Sequence, residues 1–340
     1  METKPPLKKL KLALILVALL VAAFLAVRYY NMYRFHVEKQ TRFMMSTYVT
    51  VHAVGPKSET APAVNLALDR MQEVETKFNH LNPKSPVYAF NHDGTPITDP
   101  EVLEVVKLAL QISRESDGAF DITIEPCIEI WGFYAESPHL PTKEEIKTCV
   151  EKVGYRHLGW SESRLEKTRP DVRIDLGGIA KGYALREALK VLRKEGVKSA
   201  LIDVGGDVYA LGKRGGDFWK VGIRNPRGED ILGYVEVEDL AVVGSGDYER
   251  YFMHDGKRYH HIFEPKTGYP AEGMRATWIL HPDPLVAQGH CSTIFILGPE
   301  RGMQLVEKIP GMEAIMVTAS GEMLYSPGLK HALQPISKPQ

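Results

Sequence analysis

The sequence predicts a single α+β domain of about 290 residues, preceded by a short apolar segment at the N-terminus. Hydrophobic residues make up 44% of the 340-residue chain and charged residues 25%, which are ordinary values for a globular protein and exclude a mainly disordered one. Helical patterns dominate the first half of the body, whereas short apolar runs separated by turns follow from Ser199 onward. No repeat, low-complexity tract or flexible linker divides this body. These observations favour one mixed domain over two.

The charge balance and the cysteines exclude several classes of protein. The chain has 42 Lys and Arg against 43 Asp and Glu, so its net charge of −1 argues against a nucleic-acid partner recognised by a basic surface. The three cysteines, Cys127, Cys149 and Cys291, are too few for a disulfide-stapled mini-scaffold, and no pair has zinc-finger spacing. Each lies in an apolar or helical context, so we expect three small buried hydrophobic residues.

The N-terminal segment predicts a membrane anchor. Leu12–Val27 is an unbroken apolar run with lysines before it and Arg28 after it. As a helix it is about 24 Å long, slightly short of the roughly 30 Å hydrocarbon core, and flanking tyrosines and basic side chains could cover the difference. A cleaved signal peptide is the alternative, but no A-x-A cleavage site closes the run. The predicted layout has four parts: residues 1–11 as a cytoplasmic N-terminus, 12–30 as a transmembrane signal anchor, 31–44 as a juxtamembrane linker and 45–330 as the functional domain, on the extracytoplasmic side of the inner membrane.

The body begins with a strand and two helices. Alternating β-branched residues predict a strand over Tyr48–Val54, and helical spacing of apolar residues predicts a helix over residues 62–79. The pair Asp99-Pro100 places a capping residue before a proline, which begins a second helix that runs to about Ser116.

Two further helices precede the strand-rich half. Thr142 and Glu145 form a capping box that begins the third helix. The fourth, Gly178–Glu195, ends at Gly196. After Ser199, short apolar runs predict strands at ALIDV, FWKVGI, YVEVE, AVVGS, ATWIL, TIFIL and AIMVTA. A helix over Pro299–Ile309 is predicted between the last two of these.

The segment from Asp175 to Ala184 is the densest candidate for chemistry. A strand end here meets the glycine pair Gly177-Gly178 and then a helix. Paired glycines let a ligand approach the backbone, and the free N–H groups of a helix N-terminus bind phosphate. Lys181 adds a mobile positive charge that suits a pyrophosphate. From these residues alone, a tight turn with a solvated lysine is an equally good interpretation.

Three other polar clusters follow strand ends: DVGGD at 203–207, GSGDYER at 244–250 and YHHIFEPKTGYP at 259–270. Adjacent histidines in a strand point to opposite faces, so at most one of His260 and His261 faces a given site, where it would be a plausible general base. Taken singly, a turn or a structural histidine is the commoner explanation for each cluster.

The order of the segments is more specific than any one of them. GAFD with a trailing WGF, DLGGIAKGYA, VGGD, SGDYER, HHIFEPKTGYP and then a Ser-Thr pair follow one another, and this order resembles the ApbE family, the FAD:protein FMN transferases. The resemblance implies a domain with a mostly antiparallel sheet and packed helices. It also implies a reaction: in the presence of Mg²⁺ the FMN moiety of FAD is transferred to a threonine hydroxyl of a target protein, and AMP is released. The implied partners are acceptor domains of membrane redox complexes, such as Rnf or Na⁺-pumping quinone reductase subunits.

The resemblance also implies roles for individual residues. The residues expected to bind FAD are Met45, Asn91, Ala119, Phe120, Asp121, Asp175, Lys181 and Ile262. The expected magnesium ligands are the carbonyl of Gly178 and the hydroxyls of Ser292 and Thr293, and hard oxygen donors are what Mg²⁺ prefers. His261 is expected to be the base that activates the acceptor threonine.

One departure from the family pattern bears on function. The family usually has an aspartate four residues before the threonine, and this chain has Gly289 there. Gln288, His290 and Asp283 are the candidate replacements for that carboxylate. Two other functions therefore stay open at this point: a flavin-binding protein that does not transfer FMN, and a metal-dependent FAD pyrophosphatase.

Overall fold

The computed structural model describes residues 7–34, 36–135, 137–329 and 332–334. Residues 1–6 of the predicted cytoplasmic N-terminus and Lys330, the last residue of the predicted domain, lie outside the described residues. The helices are α1 (Leu7–Arg34), α2 (Lys57–Phe78), α3 (Pro86–Asp93), α4 (Pro100–Glu115), α5 (Glu125–Ile130), α6 (Lys143–Val150), α7 (Gly177–Lys194) and α8 (Pro284–Lys308). The strands are β1 (Val37–Met44), β2 (Thr47–Val54), β3 (Leu158–Ser161), β4 (Arg164–Lys167), β5 (Ala200–Val204), β6 (Asp207–Leu211), β7 (Trp219–Arg224), β8 (Ile231–Val237), β9 (Leu240–Gly246), β10 (Tyr251–His254), β11 (Lys257–His260), β12 (Phe263–Glu264), β13 (Tyr269–Pro270), β14 (Met274–His281), β15 (Glu313–Thr318) and β16 (Met323–Tyr325).

An eight-stranded sheet organises the domain, in the order β1-β2-β5-β6-β9-β14-β15-β16. Each neighbouring pair in this sheet is antiparallel. The mixed α and β architecture with a mostly antiparallel sheet is therefore confirmed.

The two faces of this sheet are covered differently. Because side chains alternate along a strand, Ala241 and Val243 of β9 join the core that contains α2, α4, α7 and α8, whereas Val242 faces the β7–β8 hairpin. The helices thus lie on one face and the hairpin on the other. The candidate site is built where helix ends and strand ends meet at the edge of the helical layer.

The helix-start signals of the sequence are confirmed at atomic detail. The Asp99 carboxylate accepts hydrogen bonds from the backbone N–H groups of Glu101 and Val102, which begins α4. Thr142 and Glu145 form the predicted capping box at α6. The predicted end of α7 is also confirmed, since Gly196 follows it with a positive φ of 80°.

Two predicted strands are wrong. The strand predicted to end at Asp175 is not formed, because residues 172–176 have no regular secondary structure. The apolar run TIFIL (residues 293–297) lies inside α8, not in a strand. The Asp283 carboxylate accepts a hydrogen bond from the N–H of Leu285, and Asp283-Pro284 therefore begins a helix ten residues before this run. The run is almost entirely apolar because this part of α8 is buried against the sheet. The helix predicted over Pro299–Ile309 is confirmed as the second part of α8, after non-helical backbone at Gly298.

The N-terminal segment forms α1, a helix of 28 residues that continues through basic residues on both sides of the apolar run. Within the described parts of the chain, no helix combines the length and the apolar character that crossing a bilayer requires. The transmembrane helix predicted over residues 12–30 is therefore not supported, because the purely apolar run is shorter than the ~20 residues that span a bilayer. The boundary predicted at Met45 also shifts, since β1, in the predicted linker, pairs with β2 along its length.

The expectation of three unpaired cysteines is wrong for two of them. Cys127 on α5 and Cys149 on α6 form a disulfide with an S–S distance of 2.04 Å. Cys291 is free and buried, which confirms the expectation for that residue. A covalent link therefore joins α5 to α6.

Helices α7 and α8 cross in very close contact. A Cβ atom built on Gly182 of α7 would lie 2.4 Å from the carbonyl oxygen of Pro284 and 2.9 Å from the Cα of Leu285. Only glycine fits at this crossing, so the two helix backbones touch directly.

Candidate active site

The start of α7 is open to solvent, and hydrogen bonds of Asp175 hold its backbone in place. Gly177 and Gly178 are exposed. The N–H of Asp175 donates to the carbonyl of Ile122 at 2.8 Å, and its Oδ1 accepts from the N–H of Gly177 at 2.7 Å. A Cβ on Gly178 would lie 3.3 Å from Cε2 of Phe120, so the phenyl ring lies directly against this turn. Exposed glycine backbone at a helix N-terminus is suited to binding an anion.

Asn91 supports this turn through its side-chain amide. Its Nδ2 donates to the carbonyl of Ile174 and its Oδ1 accepts from the N–H of Ile174, both at 2.8 Å. The side chain is 6% exposed. Asn91 thus holds the backbone that leads into Asp175, and its expected contact with FAD stays a prediction.

The Ala119-Phe120-Asp121 segment is buried beside the same turn. Asp121 Oδ1 accepts from the N–H and the hydroxyl of Thr123, at 2.9 and 2.6 Å, and Oδ2 accepts from the N–H of Tyr155 at 2.7 Å. Burial raises the pKa of Asp121 even though these hydrogen bonds oppose the rise. Both oxygens are occupied by the protein, so the structure gives Asp121 a loop-fixing role and leaves Phe120 as the member that contacts Gly178.

Lys181 joins three of the segments that the sequence singled out. Its Nζ lies 3.3 Å from Oδ2 of Asp207, the carboxylate of the VGGD segment. Oδ1 of Asp207 accepts from the N–H of Gly244 at 3.1 Å, at the start of the third segment. Asp207 is only 4% exposed, whereas the Lys181 side chain is 29% exposed. The buried carboxylate therefore holds a partly exposed cation near the start of α7.

The adjacent histidines have different surroundings, although strand alternation does not apply to both, since β11 ends at His260. His260 is 5% exposed; its Nε2 lies 3.0 Å from the carbonyl of Ala271 and its Nδ1 accepts from the N–H of Ile262. Ile262 itself is buried, 6% exposed. His261 is half-buried, and its Nδ1 lies 3.3 Å from the carbonyl of Arg250. A carbonyl can only accept, so Nδ1 carries the hydrogen and Nε2 keeps its lone pair.

His261 is uncharged in the free protein. Burial, followed by the positive charge of Arg250, lowers the pKa of His261 to about 3, and the charge of Lys181 acts in the same direction. The imidazole is therefore neutral at physiological pH, and the lone pair of Nε2 can accept a hydrogen bond from a hydroxyl.

Met45 lies in the β1–β2 turn. Met45 and Ser46 have φ values of 53° and 58°, and the N–H of Met45 donates to the Glu75 carboxylate at 2.7 Å. A Cβ on Gly205 would lie 2.2 Å from the hydroxyl of Thr47, so this turn packs against the VGGD segment. The structure thus places Met45 beside a site segment, through the hairpin.

The expected magnesium ligands lie on two neighbouring helices. Gly178 is in the first turn of α7, and Ser292 and Thr293 are in the middle of α8. Thr293 is fully buried and its hydroxyl donates to the carbonyl of Gly289 at 2.7 Å. Within the described residues, no group of three His, Cys, Asp or Glu side chains could hold a metal ion.

The position where the family has a carboxylate faces apolar side chains. A Cβ on Gly289 would lie 2.6 Å from Cδ1 of Ile112 and 3.0 Å from Cδ1 of Ile179. Isoleucine methyl groups thus occupy the space beside this residue.

The three candidate replacements for that carboxylate differ in the hydrogen bonds that they already make. Asp283 caps α8, and His290 Nδ1 lies 2.8 Å from the carbonyl of Val286. Gln288 is 6% exposed, and its Oε1 is buried without a hydrogen-bond partner among the described residues. Gln288 is therefore the substitute with an uncommitted oxygen.

Sequence reasoning missed a buried cluster behind Asp175. The Tyr134 hydroxyl donates to Asp175 Oδ2 at 2.7 Å, and His80 Nδ1 lies 3.4 Å from Oδ1. Burial would raise the pKa of Asp175, but the hydrogen bonds from His80 and Tyr134 hold it below its ordinary value. Glu125 and Arg173 complete the cluster with a contact of 2.8 Å. Tyr134 follows the WGF segment, which was a usable signal, whereas a lone histidine after α2 offered none.

Comparison with known proteins identifies the family. The model of the ApbE family matches residues 45–316. FAD:protein FMN transferase of Treponema pallidum is 28% identical over 303 residues, which is 83% of this chain and 84% of that protein. FAD:protein FMN transferase of Salmonella typhimurium is 31% identical over 252 residues, 70% of this chain and 71% of that protein. The crystal structure of the ApbE protein of Thermotoga maritima is 32% identical, covers 88% of this chain and 100% of its own, and superposes with a TM-score of 0.81. The chain belongs to the ApbE family.

Proposed function

We propose that this chain transfers the FMN moiety of FAD to a protein acceptor. One observation carries the proposal: the N-terminus of α7 is exposed, Lys181 provides a partly exposed cation there, and the charge of Lys181 also acts on the neutral histidine His261, whose Nε2 keeps its lone pair. The first two features bind a diphosphate and the third activates a hydroxyl. The names of the relatives, which are FAD:protein FMN transferases, agree with this function.

The reaction is a phosphoryl transfer to a threonine hydroxyl. The hydroxyl oxygen forms a bond to the phosphorus of the FMN half, and the bond from that phosphorus to the bridging oxygen breaks. AMP leaves with the bridging oxygen, and the hydroxyl proton passes to Nε2 of His261. Such a transfer depends mainly on positioning and on neutralising charge. Lys181 supplies charge on the diphosphate side, and the buried carboxylate of Asp207 keeps it there.

Mg²⁺ is proposed as the accompanying cation. The carbonyl of Gly178, the hydroxyls of Ser292 and Thr293 and the uncommitted Oε1 of Gln288 are neutral hard oxygens. Such a set suits an ion that substrate phosphates also hold, since Mg²⁺ usually binds through few protein ligands plus phosphates. When bound, the ion would neutralise negative charge on the diphosphate.

The proposed location is the outer face of the inner membrane, with α1 as the attachment. Two observations support it. The large apolar side chains between Leu12 and Val27 are each more than half exposed. The disulfide between Cys127 and Cys149 belongs to an oxidising compartment. Flotation of the full chain with phospholipid vesicles tests the attachment, and recovery of the protein only in the lipid-free fraction would contradict it.

The proposed acceptors are threonine-bearing domains of membrane redox complexes of the Rnf or Na⁺-pumping quinone reductase type. This step rests on the family resemblance and on the proposed location. Incubation of the full chain with FAD, Mg²⁺ and such a domain tests function and acceptor together. Flavin fluorescence on the acceptor after denaturing electrophoresis is the expected result. Bound FAD without labelled acceptor would indicate a flavin-binding protein, and free FMN with AMP would indicate a pyrophosphatase.

A variant at His261 tests the assigned base. His261→Ala should keep its FAD affinity and lose transfer rate by ~10²-fold or more, the usual loss for a general base. His92→Asn is a control, because His92 is exposed and its ring packs on the neighbouring Tyr88 of the same helix, at 4.1 Å between centroids. Equal transfer rates for His261→Ala and the wild type would remove His261 from this role.

A further inference from the structure

We propose that His80 is a positioning residue whose proton favours binding of the FAD diphosphate at the start of α7, and that it acts through Asp175. This inference rests on the proposed function, because it concerns the same binding site. It makes FAD affinity dependent on pH in a direction that the structure fixes.

His80 is committed to Asp175. It is 8% exposed, and its ring lies 4.7 Å from that of Tyr134 between centroids. Nδ1 lies 3.4 Å from Oδ1 of Asp175, and Nε2 is buried without a hydrogen-bond partner among the described residues. Protonation of His80 therefore acts on the binding site through the carboxylate of Asp175.

Asp175 transmits that charge to the anion site. The same Oδ1 that faces His80 accepts from the N–H of Gly177, the first residue of α7. A bare carboxylate at a helix start repels a second anion, whereas a carboxylate paired with an imidazolium does so far less. A proton on His80 therefore removes one unit of negative charge from the surroundings of the exposed glycines.

Several other titratable groups lie around His80. Glu125 and Arg173 face it from α5 and from the segment before Asp175, and Arg173 also pairs with Glu129. Tyr134 is neutral, because burial and the charge of Asp175 raise its pKa well above the ordinary value. Burial opposes the charged imidazole, but the hydrogen bond and charge of Asp175 outweigh it and raise the pKa of His80. Burial raises the pKa of Glu125 to about 7, so Glu125 also titrates within the pH range of the experiment.

The sign of the pH effect follows by linkage. A bound diphosphate stabilises the imidazolium, so the pKa of His80 is higher in the complex than in the free protein. Between these two pKa values, binding takes up a proton, and the Kd for FAD rises by up to ~10-fold per pH unit. Since the pKa of His80 already lies above the ordinary value of about 6.5, the rise is expected on the alkaline side of that value.

The experiment measures FAD binding by calorimetry on the full chain in detergent, from pH 6 to pH 9 and in two buffers of different ionisation enthalpy. We expect weaker binding at high pH with proton uptake in the wild type. His80→Asn keeps a donor near the position of Nδ1 but carries no charge, so it should bind with the wild-type alkaline affinity at every pH. Glu125→Gln and the exposed control His92→Asn should keep the pH dependence.

The variants test whether His80 is the source of the pH dependence. A pH dependence that persists in His80→Asn, or that disappears in Glu125→Gln, would overturn the inference. Tyr134→Phe removes a hydrogen bond to Asp175 without removing charge, so it should weaken FAD binding at all pH values with the same slope. FAD binding without pH dependence in the wild type would overturn the role of His80 alone. Absence of FAD binding at any pH would overturn the proposed function, and this inference with it.

Discussion

Reduction of the disulfide between Cys127 and Cys149 should destabilise the domain by a predictable amount. The two cysteines are separated by 22 residues in sequence. The loss of chain entropy on closing a loop of this size corresponds to about 3 kcal/mol of stability. In a domain of about 290 residues, whose unfolding entropy is about 2.1 cal/mol/K per residue, this loss lowers the melting temperature by about 5 °C.

The disulfide also lies beside the functional site. A Cβ on Gly268 would be 3.4 Å from Sγ of Cys149, and the carbonyl of Gly268 accepts from the indole N–H of Trp131 at 2.8 Å. Gly268 belongs to the turn that follows His261. Loss of the disulfide is therefore expected to loosen the support of this turn as well as lower stability.

Thermal unfolding of the full chain with and without a phosphine reductant measures the effect, with free thiols counted by mass spectrometry after alkylation. The double variant Cys127→Ala/Cys149→Ala is the matched control, since reductant should leave its melting temperature unchanged. A fully reduced wild type that melts within about 2 °C of the oxidised protein would refute the loop-entropy reasoning. A shift in the double variant would show that the reductant acts elsewhere.

Three further substitutions test the site. Asn91→Ala should lower the free energy of unfolding by about 2–4 kcal/mol, because it leaves both backbone groups of Ile174 unpaired; denaturant unfolding measures this, and a loss below about 1 kcal/mol would contradict it. Gly289→Asp should lower the melting temperature because its Cβ meets Cδ1 of Ile112, and adding Ile112→Val, which removes that carbon, should recover part of the loss; strictly additive losses in the double variant would contradict the contact. Lys181→Met should raise the Kd for FAD by ~10–100-fold through loss of one charged contact, as measured by flavin fluorescence, and an unchanged Kd would place the diphosphate elsewhere.

The sequence predicted those parts of the fold that local chemistry controls. Asp99 and Thr142 each satisfy backbone N–H groups a few residues away, so the helices that they begin could be located without knowing the tertiary structure. TIFIL could not be assigned in the same way, because a short apolar run fits a buried strand and a buried helix equally well. Its state depends on Asp283, which begins α8 well upstream.

In the candidate site, too, local features could be predicted from the sequence and long-range contacts could not. The glycine turn at α7 and the availability of one histidine of the pair follow from local geometry, and the structure agrees with both. The partners of the site residues do not follow, because they come from distant segments: Ile174 binds Asn91 across 83 positions, and Tyr134 reaches Asp175 across 41. The pairing of Cys127 with Cys149 is also a tertiary contact that no spacing rule predicts.

The crossing at Gly182 sets the distance between α7 and α8, the two helices that carry the expected metal ligands. On one side of it α7 carries Gly178 and Lys181, and on the other α8 carries Thr293. Since the backbones already touch there, adding even one methyl group would push the two helices apart and increase the distance between these groups. A substitution at Gly182 is therefore expected to change the spacing between Gly178 and Thr293, two of the expected metal ligands.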